Sequence, residues 1–208
     1  MHAKHYLDLV QERDAAPNRL KYCPEGEKER HLTEAAVMIS FALHLFDQDS
    51  NIRTVRICPD GEHAKRFDIL KWMTSNGFEK AESHGSTAYG GKYVRDTQTI
   101  LVTPMSGIGD VVVDGETRII AECKGGIINT RHPGQQSRLR KGLCETVGQL
   151  MASPNGGRQV AVVPYSSTTL RMAERMISRA APIGIEIALV HANGSVEYVK
   201  EKKASDGL

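Results

Sequence analysis

The amino-acid sequence predicts an α/β fold, a mixed central β-sheet flanked by helices. Two observations carry the prediction. Three short β-rich runs, about 98–103, 108–113 and 117–123, follow one another closely, and the chain then reads helix, strand, helix, strand to about residue 190. Antiparallel strands followed by such alternation imply a mixed sheet with helices on both faces. The preference for right-handed crossovers makes the run at 158–163 parallel to one of the central strands.

Taken in order, the elements begin with a helix over 27–47, where Leu32, Ala35, Ala36, Ile39, Ala42, Leu43 and Phe46 recur at helical spacing. A β-branched run at 52–57 ends at Pro59-Asp60-Gly61. A second helix is expected over about 62–76, stopped by Asn76-Gly77, with Phe78 as the hydrophobic contact at its cap. Residues 79–91 are polar and glycine-bearing and read as a mobile loop. After the three central strands, the basic run GGIINTRHPGQQSRLR leads into a helix at about 135–152 with a core stripe of Leu139, Leu143, Val147, Leu150 and Met151. Strand 158–163, helix 167–181, strand 184–190 and a short strand at 195–199 follow, the last two joined by a turn at 191–194. With no repeat or long linker, one domain over 1–208 is expected, its core at about 98–163 and its helical elements and variable loop at 27–97.

Composition narrows the classes. Hydrophobic residues make up 40% of the 208 and charged residues 25%, the balance of a soluble globular protein. No apolar run approaches the roughly 20 residues of a membrane helix, so no membrane partner is expected. The opening MHAKHYLDLVQERD lacks a signal peptide's apolar core, which makes the cytoplasm the expected compartment. A formal charge of +2 is too small for an electrostatic coat on nucleic acid, and 5% aromatics argue against a stacking platform for single strands. Cys23, Cys58, Cys123 and Cys144 lie far apart without a Cys-x-x-Cys pair, and they read as ordinary thiols rather than zinc ligands or disulfides.

The most informative stretch is MSGIGDVVVDGETRIIAECKGG, residues 105–126. Asp114-Gly115 is a strong tight-turn signal, so the strands beside it run antiparallel. Asp110 then lies at the same end of the hairpin as Glu122 and Lys124. These two share one face, while Cys123 points to the other and should pack under the sheet. Two carboxylates and an ammonium at one sheet edge suit a divalent cation and a polarised oxyanion. The alternative is an exposed surface cluster, which contributes little, but Ile119, Ile120 and Ala121 lead the strand into a buried setting where unpaired charge is costly.

Gly109-Asp110, Glu122-Cys123-Lys124 on the next strand, then a helix carrying ETVGQL and a further strand, resemble the PD-(D/E)XK, or restriction-endonuclease-like, nuclease superfamily over about residues 98–163. The residue before the aspartate is Gly109, with no proline there. The resemblance implies a restriction-endonuclease-like core and Mg²⁺, with Mn²⁺ able to substitute. Asp110, Glu122 and the backbone carbonyl of Cys123 would hold the ion, and Lys124 would stabilise the attacking hydroxide or the phosphorane. It also implies an acidic residue from an earlier helix, with Glu34 as candidate and Glu62 as rival. A helix glutamine, Gln149, would orient the site from the face it shares with Arg138 and Glu145.

The activity so implied is a Mg²⁺-dependent DNA endonuclease of restriction or defence type. One such site cuts one strand, so a homodimer is expected, and membership of a larger defence or mobile-element complex is compatible with it. Lys92, Tyr93 and Arg95 on one side, with Arg131, Arg138, Arg140 and Lys141 on the other, are the candidates to grip DNA phosphates. His132 reads more plainly as a loop residue. Two alternatives stay open: a repair or recombination nuclease, and a non-catalytic nucleic-acid-binding or assembly module of the same fold.

Overall fold

Apolar residues on both faces of the central strands decide the architecture. Val160 and Val162 of β10 (Arg158–Pro164) pack to one side, while Ala161 and Val163 pack to the other. Ala188 and Val190 of β11 (Ile185–Val190) join the first side, Ile187 and Leu189 the second. Strands buried on both faces need a helical layer on each. On one face lie α1 (Glu34–Gln48) and α2 (Ile69–Ser75); on the other lie α3 (Pro133–Ala152) and α4 (Ser167–Ala180). The computed structural model describes residues 8–24, 28–59, 66–103, 109–115, 118–153 and 156–201.

The other strands of the main sheet are β3 (Thr54–Ile57), β4 (Glu79–Ser83), β5 (Gly91–Arg95), β6 (Gln98–Val102), β7 (Val111–Val113), β8 (Ile119–Cys123) and β12 (Val196–Tyr198). With β10 and β11 they form a nine-stranded mixed sheet in the order β12-β11-β10-β8-β7-β3-β6-β5-β4. The fold is therefore α/β, a large mixed sheet flanked by helices. β10 runs parallel to β8 and β11, as the crossover rule required. A separate three-stranded sheet joins β1 (Val10–Arg13), β2 (Glu29–Leu32) and β9 (Gly126–Ile127), with β2 in the middle. Among the described residues, no helix is long and apolar enough to cross a membrane.

Local signals explain most boundaries. Thr33 caps α1 by accepting the Ala36 amide at 3.2 Å, and Ser166 and Thr169 form a reciprocal capping box on α4. Gly77, at φ +80°, takes the left-handed stop after α2, and the Phe78 amide bonds the Met73 carbonyl at 3.0 Å.

Several expectations are corrected. The helix expected over 27–47 begins only at Glu34, because 29–32 form β2; this strand is polar (ERHL) and carries no alternation to announce it. Residues 79–91 are not one loop, since β4 is a charged, exposed edge strand paired with β5 through a bulge. The runs at 98–103 and 108–113 are not neighbours, because β3 inserts between β6 and β7. The last β7–β8 pair is Val113–Ile119, and of the turn expected at Asp114-Gly115, residues 116–117 lie outside the described residues. Met151 is 65% exposed and stands outside the α3 core stripe. Of the second helix expected over 62–76, residues 69–75 form α2, and 60–65 lie outside the described residues.

Candidate functional site

The site grows from the register of one hairpin. Val111 pairs with Ala121 and Val112 with Ile120, so continuing the antiparallel count sets Asp110 directly across from Glu122. Opposed residues in such a pair have Cβ atoms about 4.5–5.5 Å apart, and like charges there repel. The backbone of Asp110 is fixed from both sides: its amide donates to the Ala121 carbonyl at 2.9 Å, and its carbonyl accepts the Cys58 amide at 2.8 Å. Its carboxylate accepts the Cys123 amide at 2.7 Å. The Glu122 carboxyl is pushed up to about 7 by burial first and the Asp110 charge second, with a hydrogen bond between the two carboxyls; Lys124 pulls the other way without prevailing. Burial and the Asp110 charge thus favour the protonated form of Glu122, and a cation between the two carboxyls would relieve the same repulsion.

Lys124 lies one residue beyond β8. Its amide donates to the Val162 carbonyl at 3.1 Å, which extends the ladder to β10 by one step. Its ammonium is 3.5 Å from carboxylate oxygens of both Glu34 and Glu145. Burial by itself would lower the Lys124 pKa, but Glu34, Asp110 and Glu145 outweigh it and hold the group above the ordinary lysine value. Lys124 is thus an ammonium throughout the neutral range, a donor and point charge rather than a base.

Glycines let the surrounding elements close on this lysine. A Cβ at Gly125 would lie 2.5 Å from the Glu34 amide nitrogen and 2.7 Å from the Leu32 carbonyl oxygen. The chain leaving Lys124 therefore passes directly against the start of α1. The β2–β9 pairs His31–Ile127 and Leu32–Gly126 lock that approach and bring Glu34, in the first turn of α1, to the lysine. On the far side α3 presents Gly142, where a Cβ would sit 3.2 Å from Lys124 Cβ. One turn on, α3 presents Glu145.

Asp110, Glu122, Lys124 and Glu34 are thus brought together, although Glu34 meets the ammonium instead of completing a carboxylate cluster. Cys123 is fully buried on the opposite face, as strand alternation requires, and burial raises its thiol pKa well above the ordinary value. Gln149 is exposed, with its carbonyl accepting the Ser153 hydroxyl at 2.9 Å. Glu145, one turn earlier on the same face, is the α3 residue at the site. The only sequence signal for it was that shared face. Glu62 lies outside the described residues.

The expected phosphate grip divides. Lys92 and Arg95 lie on β5, four strands from β8, roughly 19 Å at about 4.8 Å per strand. Arg95 is structural there: its guanidinium stacks 4.3 Å over the Phe78 ring and bonds the Asn76 carbonyl and Gln98. Lys92 pairs with Glu82 at 3.2 Å, and Tyr93 is buried in the core. These three do not flank the site. His132 caps α3, its Nδ1 accepting the Gly134 and Gln135 amides, while Arg131 is exposed beside it. Arg138 and Lys141 share the Glu145 side of α3, whereas Arg140 is set about 160° round the helix from Arg138 at about 100° per residue.

The chain matches no protein-family model, no curated protein and no solved structure. Among the described residues, no group of three or more His, Cys, Asp or Glu side chains is arranged to hold a metal ion. The donor set here still suits Mg²⁺, which is commonly held by one or two carboxylates with waters and substrate phosphates. Asp110 and Glu122 supply two carboxylates. The Cys123 carbonyl faces the same edge as its amide, which meets Asp110.

Proposed function

We propose that this chain is a Mg²⁺-dependent DNA endonuclease of restriction or defence type, with a restriction-endonuclease-like core, acting as a cytoplasmic homodimer. The observation that supports it best is the meeting of Asp110 and Glu122 across one hairpin, with their carboxyls in contact and the Lys124 ammonium two residues on. Mn²⁺ is expected to substitute. Asp110, Glu122 and the Cys123 carbonyl would hold the ion, which when bound neutralises charge building on a phosphoryl oxygen and favours ionisation of water. Lys124, kept protonated by its carboxylate neighbours, donates to the phosphoryl oxygens as they gain charge. Glu34 and Glu145 position that ammonium. Glu122 would be held ionised by the ion it ligates, so it acts as a ligand and not as a proton carrier.

Plasmid, linear and single-stranded DNA incubated with Mg²⁺, Mn²⁺ or EDTA test this reading. Wild type should cleave with either ion and not in EDTA. Lys124→Ala should cleave on the order of 10²–10³-fold more slowly, as for loss of one transition-state donor, with binding changed by about one phosphate contact. No cleavage of any substrate by wild type, or an unimpaired Lys124→Ala, would sink the proposal.

A further inference from the structure

Beside the site, across Glu34 and the Gly125-Gly126 backbone, opens a cleft of ≈ 490 Å³ between the small sheet and α3. Four arginines line it: Arg13 on β1, Arg19, Arg66 and Arg138 on α3. Arg19 is committed, since it binds the buried Glu29 carboxylate through two hydrogen bonds of 2.7 and 2.9 Å. Among the described residues, no carboxylate forms an ion pair with the other three. Arg13 is held by neutral acceptors instead, the Gln11 side chain at 2.5 Å and the Arg66 carbonyl at 3.3 Å, which fixes its direction without cancelling its charge. The Glu34 carboxylate on the wall faces the Lys124 ammonium at 3.5 Å, which it shares with Glu145. Gln135, 9% exposed, adds a neutral amide.

Several guanidiniums converging on one concavity make an anion site, and planar forked donors match phosphate oxygens particularly well. The volume suits a drug-sized ligand, on the order of one nucleotide unit rather than a duplex. Among the described residues, its lining has no Phe, Tyr or Trp to stack a base. We propose that this cleft is a phosphate-binding subsite, formed by Arg13, Arg66 and Arg138, that holds one phosphate of a single nucleic-acid strand leading to the neighbouring site. The anion site stands on the cleft alone; that the anion belongs to a nucleic-acid strand rests on the nuclease reading.

The test is fluorescence anisotropy in EDTA with two short 3′-labelled single-stranded DNAs, one 5′-phosphorylated and one 5′-hydroxyl. Arg13→Gln and Arg138→Gln should each weaken binding on the order of 5–10-fold and flatten the salt dependence by about 0.7 in log–log slope. Arg140→Gln, round the helix, should bind as wild type. Thermal melts confirm that each variant is folded. A preference for the 5′-phosphate that disappears in Arg138→Gln identifies a terminal monoester; equal weakening of both strands identifies an internal diester. The subsite is overturned if wild type binds neither strand, if the cleft variants bind normally, or if Arg140→Gln weakens binding equally. Cleavage assayed separately with Mg²⁺ keeps the proposals apart: no cleavage with this binding pattern intact removes the nuclease and leaves the subsite.

Discussion

Glu122→Gln should stabilise the protein, and only above mildly acidic pH. The Glu122 carboxyl moves from an ordinary 4.5 to about 7, through burial first and Asp110 second. At about 1.36 kcal/mol per pH unit that gap is worth on the order of 3 kcal/mol. Because the folded protein holds this proton more tightly than the unfolded chain, its stabilising effect is complete below pH 4.5 and is lost as pH rises through about 7. Glutamine keeps the shape and cannot ionise. At pH 8 the variant should therefore melt higher by ~2–3 kcal/mol, roughly 4–12 °C for a chain of this size. Near pH 4.5 the two proteins should melt within about 0.5 kcal/mol of each other. Calorimetric or circular-dichroism melts in EDTA at both pH values measure the gap. Adding Mg²⁺ at pH 8 should then raise the melting temperature of wild type and leave Glu122→Gln nearly unmoved, since the ion stabilises only the state it binds. A gap of equal size at both pH values, or a variant less stable at pH 8, would refute the crowded-carboxylate argument.

Gly125→Ala forces a Cβ to within 2.5–2.7 Å of the backbone at Leu32–Glu34, so it should cost about 1–3 kcal/mol as overpacking. It should also reduce cleavage by displacing Glu34 from Lys124, and a chemical denaturation curve with an activity assay reads both. Cys123→Ser places a hydroxyl in a fully buried apolar position and should cost about 1–3 kcal/mol, while a thiol reagent should leave native Cys123 unmodified; rapid labelling there would overturn its placement.

The hairpin was readable because its information is local. Glu122 sits on β8, Asp110 one residue before β7 and Lys124 one residue after β8, so strand alternation carried one step past each strand decides which side each one takes. Glu34 was nameable as a carboxylate at the edge of an apolar helix, but its partner was not. That contact depends on β2, whose residues Glu29, Arg30, His31 and Leu32 have no periodic signature and become a strand only through β1 and β9. Gln149 was named on the resemblance alone; Glu145 shares its helical face, and only the depth at which α3 crosses Lys124, near Gly142, shows that Glu145 is the one that meets the lysine. Lys92 and Arg95 looked close to the motif in sequence. The insertion of β3 between β6 and β7 carries them to the far side of the sheet.

The Lys124–Glu34 contact joins residues 90 apart in the chain, and this sets when the site can exist during folding. Closing a loop of that length costs on the order of 4 kcal/mol of chain entropy, offset only once β2 has found β9. The single tryptophan, Trp72, is buried in the core that the main sheet shares with α1, α2 and Leu32 of β2, so its fluorescence follows that core and not the Lys124–Glu34 contact itself. During refolding, tryptophan burial should run ahead of recovered cleavage. A chain stalled between the two would be compact, spectroscopically native around its indole, and chemically inert.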